Sequence, residues 1–190
     1  MVLRTLPLAV IVACSSSASP PRNLGMAPNV ELVAASGESI DLMKAVRSAK
    51  LTVLVFFAAS CHCLDAHEAR LRALDEEYRP QGVRFLLIDS EVSTSVERDA
   101  AEARRRHFPF PILVDRAARL ASSVSAEYAT YSVVLDPGGR VRYAGGIDSD
   151  KTHLRAGATP YLKNAIDDLL RGGSPRVAWS EALGCALQKW

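Results

Sequence analysis

The stretch 51-LTVLVFFAASCHCLDAHEARLRALDEEY-78 changes its periodicity once, and the change falls at its cysteines. Residues 51 to 58 form an unbroken run of aliphatic, β-branched and aromatic side chains, the pattern of a strand covered on both faces. From Cys63 to about Tyr78 the apolar positions Leu64, His67, Leu71, Leu74 and Tyr78 recur at steps of three and four. Asp65, Glu68, Arg72, Asp75 and Glu76 take the opposite side, so the segment reads as an amphipathic helix on which Glu68 and Arg72 can pair. Cys61, His62 and Cys63 therefore stand where strand gives way to helix, with His67 one turn further on.

Working outward, Pro80-Gln81-Gly82 stops the helix, and 83-VRFLLID-89 is a second buried strand. Strand, helix and strand in this order imply a right-handed parallel crossover. A helix follows at about Thr94 to Arg106, then Phe108-Pro109-Phe110-Pro111, a short strand 112-ILV-114, and a helix capped by Asp115 that runs through Ser123. The segments 131-YSVVLD-136 and 140-RVRYAG-145 flank Pro137-Gly138-Gly139 as an antiparallel hairpin. Thr159-Pro160 opens a last helix, Tyr161 to Leu170, which Gly172-Gly173 ends. On the amino-terminal side, Val30 to Val46 holds a weakly alternating segment, a Ser36-Gly37 turn, and Ile40-Asp41-Leu42 leading into a short helix. The expected architecture is α/β, a mixed sheet with helices on both faces.

At 190 residues and 48% apolar content the chain closes one core of ordinary size. Lysine and arginine total 23 against 21 acidic residues, a balance that gives no field for nucleic acid or an anionic surface. Arg104-Arg105-Arg106-His107 follows Glu97, Asp99 and Glu102 in what reads as a solvated helix face. Arg4, the apolar stretch Leu6 to Val12, and Ala13-Cys14 make a secretory signal over residues 1–13, too short to span a bilayer. Ile11-Val12-Ala13-Cys14 resembles a bacterial lipobox, which would leave Cys14 lipidated at the mature terminus; an ordinary signal cut in the Ser/Ala stretch is the alternative. Ser15 after that cysteine suggests sorting to the outer membrane, facing the periplasm. Residues 14–29 read as a flexible tether, 30–172 as the folded domain, and 173–190 as a tail carrying Cys185. With Cys14 set aside, Cys61, Cys63 and Cys185 cannot all pair internally in an oxidising compartment.

These residues resemble the thioredoxin-like redoxin superfamily. The resemblance rests on Phe56-Phe57-Ala58-Ala59-Ser60-Cys61, which sets Cys61 at the family's nucleophilic cysteine. It continues through Gly82-Val83, Phe110-Pro111-Ile112-Leu113-Val114-Asp115, Val134-Leu135-Asp136 and Tyr143-Ala144-Gly145-Gly146-Ile147-Asp148. It implies the three-layer thioredoxin-like fold, thiol–disulfide chemistry without a cofactor, and protein thiols or disulfides of the cell envelope as partners. The Gly184-Cys185 ending also looks like exported bacterial redoxin-domain proteins. Two departures are plain. The cysteines are two apart instead of three, so Cys61 and Cys63 can bond only if Cys61 lies in the turn before the helix. Where redoxins carry a cis-proline the chain has Ala129-Thr130-Tyr131, for which an ordinary trans peptide is expected. The peroxiredoxin Pro-x-x-x-Thr-x-x-Cys pattern is also missing, with Leu54 and Ala58 at its proline and threonine positions, and this sets disulfide exchange ahead of peroxide reduction.

Three chemistries compete for the cluster. At the mouth of a helix, unpaired N–H groups and the dipole lower a thiol pKa, which suits Cys61 as attacking sulfur, with Cys63 or Cys185 resolving the mixed disulfide. Cys63 and His67, four apart, stack on one side of the helix; with Cys61, and Cys185 as a fourth donor, they make a soft set suited to copper as Cu(I), or to zinc. Against ligation, His67 on an apolar face also fits a hydrogen-bonded core histidine. Lastly, a disulfide from Cys185 to Cys61 or Cys63 would fasten the tail over the site. Asp89-Ser90-Glu91 and Asp148-Ser149-Asp150 follow strands and suit helix caps or the sheet edge.

Overall fold

A computed structural model describes residues 24–189. The expected signal segment, Cys14 and the first part of the tether lie outside them. The strands are β1 (Glu31–Ala34), β2 (Ser39–Asp41), β3 (Leu51–Phe57), β4 (Val83–Asp89), β5 (Ile112–Val114), β6 (Ser132–Leu135) and β7 (Val141–Gly145). They form one mixed sheet in the order β2-β1-β5-β4-β3-β6-β7. The helices are α1 (Leu42–Arg47), α2 (His62–Tyr78), α3 (Val96–Arg106), α4 (Arg119–Ser123) and α5 (Tyr161–Leu170).

The apolar run at 51–57 becomes β3, paired in parallel with β4 from Leu51–Val83 to Phe57–Asp89 and antiparallel with β6. All seven of its residues are buried. Because successive side chains point to opposite faces, a strand buried throughout requires cover on both sides of the sheet. On one side α2 and α5 are joined by the Tyr78 hydroxyl donating to Asp167 at 2.5 Å and by Lys163 to Glu77 at 2.5 Å. Leu64, Leu71 and Tyr78 of α2 are buried, and the helix passes through a 3-10 turn at Arg79–Gln81 to Gly82, whose φ of +89° favours a residue without Cβ.

Local signals set most boundaries to within two residues. Ser95, one residue inside the expected start, caps α3 by accepting from Arg98 N–H at 3.2 Å. Asp115 accepts from the N–H groups of Leu120 and Ala121 and so holds the start of α4 across an intervening 3-10 turn.

Three sequence expectations change. Residues 24–29, read as the end of the tether, run along the β6–β7 hairpin, with Ala27 N–H donating to Gly139 and Val141 N–H to Gly25. Ala27 is buried there, so the folded domain includes residues 24–29. Asp75, read on the solvent side of α2, is buried and paired with Arg79. Arg106, read on a solvated face, is buried: its guanidinium binds Asp65, Glu68 at 2.6 Å and Glu102 at 2.8 Å, donates to the Ala59 carbonyl, and lies over the Phe57 ring. A fork of five donors serves several acceptors at once, and its cation offsets three carboxylates; Arg104 and Arg105 remain exposed. Arg106 thereby ties α3 to the segment that leads into Cys61.

Replacing Arg106 by leucine is expected to cost about 2–3 kcal/mol in denaturant unfolding, toward the low end for a broken buried ion pair because the orphaned acids keep some solvent. Arg106→Lys should recover only part of that loss, since an ammonium lacks the planar fork.

Candidate functional site

Cys61 is the N-cap of α2, with extended backbone at φ −86° and ψ 105°. Its sulfur accepts from the Leu64 N–H at 3.4 Å, while its carbonyl takes the Asp65 N–H at 3.0 Å. The cysteine thus lies in the turn before the helix, the condition that lets side chains two apart approach. Cys63 sits in the first turn.

The third sulfur comes from the tail. After α5 the chain returns along β7, where Ala144 N–H donates to Ala178 and Ser180 N–H to Ala144. Residues 183–188 then lie antiparallel to residues 127–130. Ala129 N–H donates to the Cys185 carbonyl and Leu187 N–H to Glu127, both at 2.9 Å, and Tyr128 bridges Ala186. A Cβ on Gly184 would stand 1.8 Å from the Ala129 carbonyl oxygen, so only glycine permits this approach. The 129–131 segment is itself fixed to β3, because Thr130 N–H donates to Phe56 and Phe56 N–H to Tyr131. Every peptide bond among the described residues is trans, including those at Ala129-Thr130-Tyr131, and Thr130 takes φ +82°.

The result is a cluster in which the Sγ atoms of Cys61, Cys63 and Cys185 all lie within 4.8 Å of one another. All three are thiols. Cys61 is 0% and Cys63 3% exposed, whereas Cys185 is partly exposed. The cluster faces the C-terminal end of β3; an open groove lined by Ser48, Gly82 and Pro111 lies at the strands' other end and includes no cysteine.

The electrostatics correct one expectation. Burial pushes the Cys61 thiol up to about 12, and contact with the Cys185 thiol adds to the rise; the Leu64 N–H acts downward and is outweighed. Cys63 is also raised, first by burial and then by the neighbouring Cys185, with Lys151 opposing. Cys61 thus occupies the expected helix start, but it is neither accessible nor acidified while the tail is docked.

Of the two readings of His67, ligand or hydrogen-bonded core histidine, the structure shows the second. The residue is buried; its Nδ1 lies 2.7 Å from the Cys63 carbonyl oxygen and its Nε2 3.1 Å from Asp148 Oδ1. Carbonyl and carboxylate only accept, so both ring nitrogens carry protons and neither has a lone pair for a metal. Burial acts to lower the His67 pKa, yet hydrogen bonds to Asp148 and the Cys63 carbonyl prevail and the net direction is up. Asp148 in turn binds Arg70 and accepts from Asp150 N–H at 2.8 Å, and Asp150 holds Arg70 and Arg155. Burial alone would raise the Asp148 carboxyl, but His67 and Arg70 bring it below the ordinary range. This chain of charges anchors the Cys63 carbonyl from beneath. Asp148-Ser149-Asp150 announced local turn chemistry, but no sequence signal joined it to His67 and Arg70.

Residues 25–144 match the model of the AhpC/TSA family. None of the curated proteins matches. Among solved structures, an uncharacterized conserved protein from Geobacillus kaustophilus is 26% identical, with TM-score 0.78, covering 87% of this chain and 91% of its own. A hypothetical protein from Sinorhizobium meliloti is 20% identical, with TM-score 0.80, covering 90% and 97%. A secreted Mycobacterium tuberculosis disulfide oxidoreductase is 18% identical, with TM-score 0.50, covering 60% and 80%. The fold is thioredoxin-like, as the sequence resemblance implied.

The raised His67 contributes stability that is complete below its unfolded pKa of about 6.5 and is lost as pH rises through its higher folded value. The lowered Asp148 contributes stability present above about pH 4 and lost as pH falls through its folded value. The cost of Asp148→Asn should therefore be largest between about pH 4 and 6.5 and narrow to the Arg70 share in more alkaline solution. NMR titration should show the His67 pKa above that of a free histidine in the parent chain and below it in Asp148→Asn.

Proposed function

Since the chain belongs to the AhpC/TSA family, we propose that it is a thiol–disulfide oxidoreductase of the cell envelope, working through Cys61, Cys63 and Cys185 on protein thiols or disulfides. The observation that carries this reading is the meeting of three sulfurs within 4.8 Å at the start of α2, one of them from Cys185 on the tail, which is only half-buried. Peroxide reduction is disfavoured, because Ala58 and Leu54 bring only buried hydrocarbon to the positions where a hydroxyl donor and a proline would stand. We further propose that Cys14 carries lipid and tethers the domain to the outer membrane on its periplasmic side; loss of palmitate labelling in Cys14→Ser would support this, and retained labelling would refute it.

Burial and pKa divide the work among the sulfurs. Fully buried, and with its thiol pushed up by that burial and by the Cys185 thiol beside it, Cys61 does not start the reaction with the tail closed. Cys185, half-buried where Cys61 and Cys63 are buried, is the one of the three residues that a partner meets first. Its thiolate attacks one sulfur of the partner's disulfide, the S–S bond breaks, and the departing sulfur leaves as a thiolate that takes a proton. Cys61 then attacks Cys185 Sγ and expels the partner's second sulfur, which takes up the proton that Cys61 gives up. The protein ends with a Cys61–Cys185 disulfide and the partner with two thiols, two electrons having moved. The Leu64 N–H stabilises charge on Cys61 when the reverse reaction returns it as a leaving thiolate. Cys63 remains a thiol beside the new bond; its attack on Cys61 Sγ would form a Cys61–Cys63 disulfide, expel Cys185 as a thiolate and release the tail.

Exposing each folded variant to an aromatic disulfide tests the order of events. In Cys61→Ser the adduct should accumulate on Cys185, located by peptide mass spectrometry, and reduction of a protein disulfide should fall to background. An adduct that forms on Cys63 alone, or full reductase activity in Cys61→Ser, would overturn the assignment.

Gly184→Ala provides an independent check on the role of the tail. The added methyl meets the Ala129 carbonyl, and overpacking of this kind costs about 1–3 kcal/mol, equivalent to a roughly five- to 150-fold gain in the open population. Alkylation of Cys61 should accelerate by that factor while the melting of the sheet changes little.

A further inference from the structure

We infer that Cys61, Cys63 and Cys185 together form a three-sulfur binding site for Cu(I), a function separate from disulfide exchange, with the tail as its closing ligand. Three sulfurs about 2.3 Å from a central ion stand about 4 Å from one another when the ion lies in their plane. The observed separations, all within 4.8 Å, require less than about 1 Å of closure, within the reach of side-chain torsions. The three residues approach from different backbone directions, an N-cap, the first helical turn and a docked strand, so their sulfurs surround a point instead of lining a row.

The donor set decides the metal. Among the described residues no carboxylate or imidazole joins the three sulfurs in a common cluster. His67, the nearest imidazole in sequence, has both nitrogens committed to Asp148 and the Cys63 carbonyl. Structural zinc takes four ligands, and a catalytic zinc with three keeps an open position for water. A set of three thiolates, two buried and one half-buried, with no fourth donor among the described residues suits a soft monovalent d¹⁰ ion that is stable in three-coordination. Binding releases the three thiol protons to solvent and changes no oxidation state. The residual negative charge faces the Leu64 N–H and the Lys151 ammonium.

Because the third ligand is on the tail, an ion in the site holds residues 183–188 against the 127–130 segment. The sulfur that would meet a disulfide is then committed, so cation capture and thiol exchange exclude each other.

The test uses the full chain, reduced and kept without oxygen, titrated with Cu(I) supplied as its complex with a chromophoric bidentate chelator. One Cu(I) per chain should be withdrawn from the chelator, and the melting temperature should rise with loading. Cys185→Ser should lose affinity by more than the 10–100-fold that removal of a supporting group costs at metal sites. Gly184→Ala, which keeps all three sulfurs and displaces only the tail, should weaken binding in the same direction. No withdrawal of copper, affinity unchanged in Cys185→Ser, or retention of Zn(II) but not Cu(I) at one per chain would each overturn the site. Disulfide reduction measured on the same preparations separates the two functions: copper uptake without reductase activity removes the exchange reading and leaves this site standing, and the converse removes this site alone.

Discussion

Gly184 lies so close to Ala129 that no side chain fits between them, and the character of the site follows from that contact. It lets residues 183–188 lie as a short extra strand along 127–130, which is bound to the end of β3 through Phe56. Without it Cys61 would be a cysteine at an open helix mouth, where N–H groups and dipole govern and the thiol acidifies. With it the same sulfur is covered, desolvation outweighs the helix field, and the third sulfur stands beside the first two. One backbone approach thus sets the accessibility, protonation and partners of the cluster.

Beneath the cluster a second constraint works on the backbone. Cys63 belongs to the first turn of α2, and its carbonyl is held by a doubly protonated His67 whose charge is answered by Asp148, itself paired with Arg70. On the flank, Arg106 reaches the Ala59 carbonyl two residues before Cys61. The strand-to-helix junction is therefore held by cations from two sides, while the tail covers it from a third. The tail is held by backbone bonds to 127–130, by Val92 N–H donating to Gln188, by Lys189 on Ala126 and Glu127, and by the buried Leu187.

What the sequence disclosed, and what it withheld, divides along the range of the interactions. The buried run at 51–57, the three-and-four spacing through Tyr78, the hairpin around Pro137-Gly138-Gly139 and the last helix at 161–170 are written in neighbours a few residues apart, and each formed as read. The cysteine at the helix start was legible for the same reason. Arg106 was misjudged, and His67 left between ligand and core histidine, because periodicity gives a residue's side of a helix and not what comes to meet it. Arg106 stands in a basic run that looks solvated until acids of α2, some 40 positions earlier, arrive beside it. His67 needed Asp148, 81 residues later, to turn a candidate ligand into an anchor. The depressed pKa expected of Cys61 failed similarly, since burial dominates and the Cys185 thiol, more than 120 residues downstream, adds to the rise.

The cluster also gives the tail two possible locks that differ in what they demand. A bond between Cys61 and Cys185 would close a loop of roughly 120 residues, which the chain-entropy model values at about 4–5 kcal/mol, so oxidation would hold the tail more firmly than its hydrogen bonds do. A soft cation would hold it without any electron transfer, at the cost of three protons. Both locks act on the same sulfur, and a chain with only Cys61 and Cys63 could use neither, because side chains two apart at a helix start provide a pair but no cover. The spacing that departs from the family's usual pair therefore becomes intelligible together with the ending Gly184-Cys185. Shortening the gap between the first two sulfurs leaves a vacancy on their outer side, and the glycine lets a third come close enough to fill it.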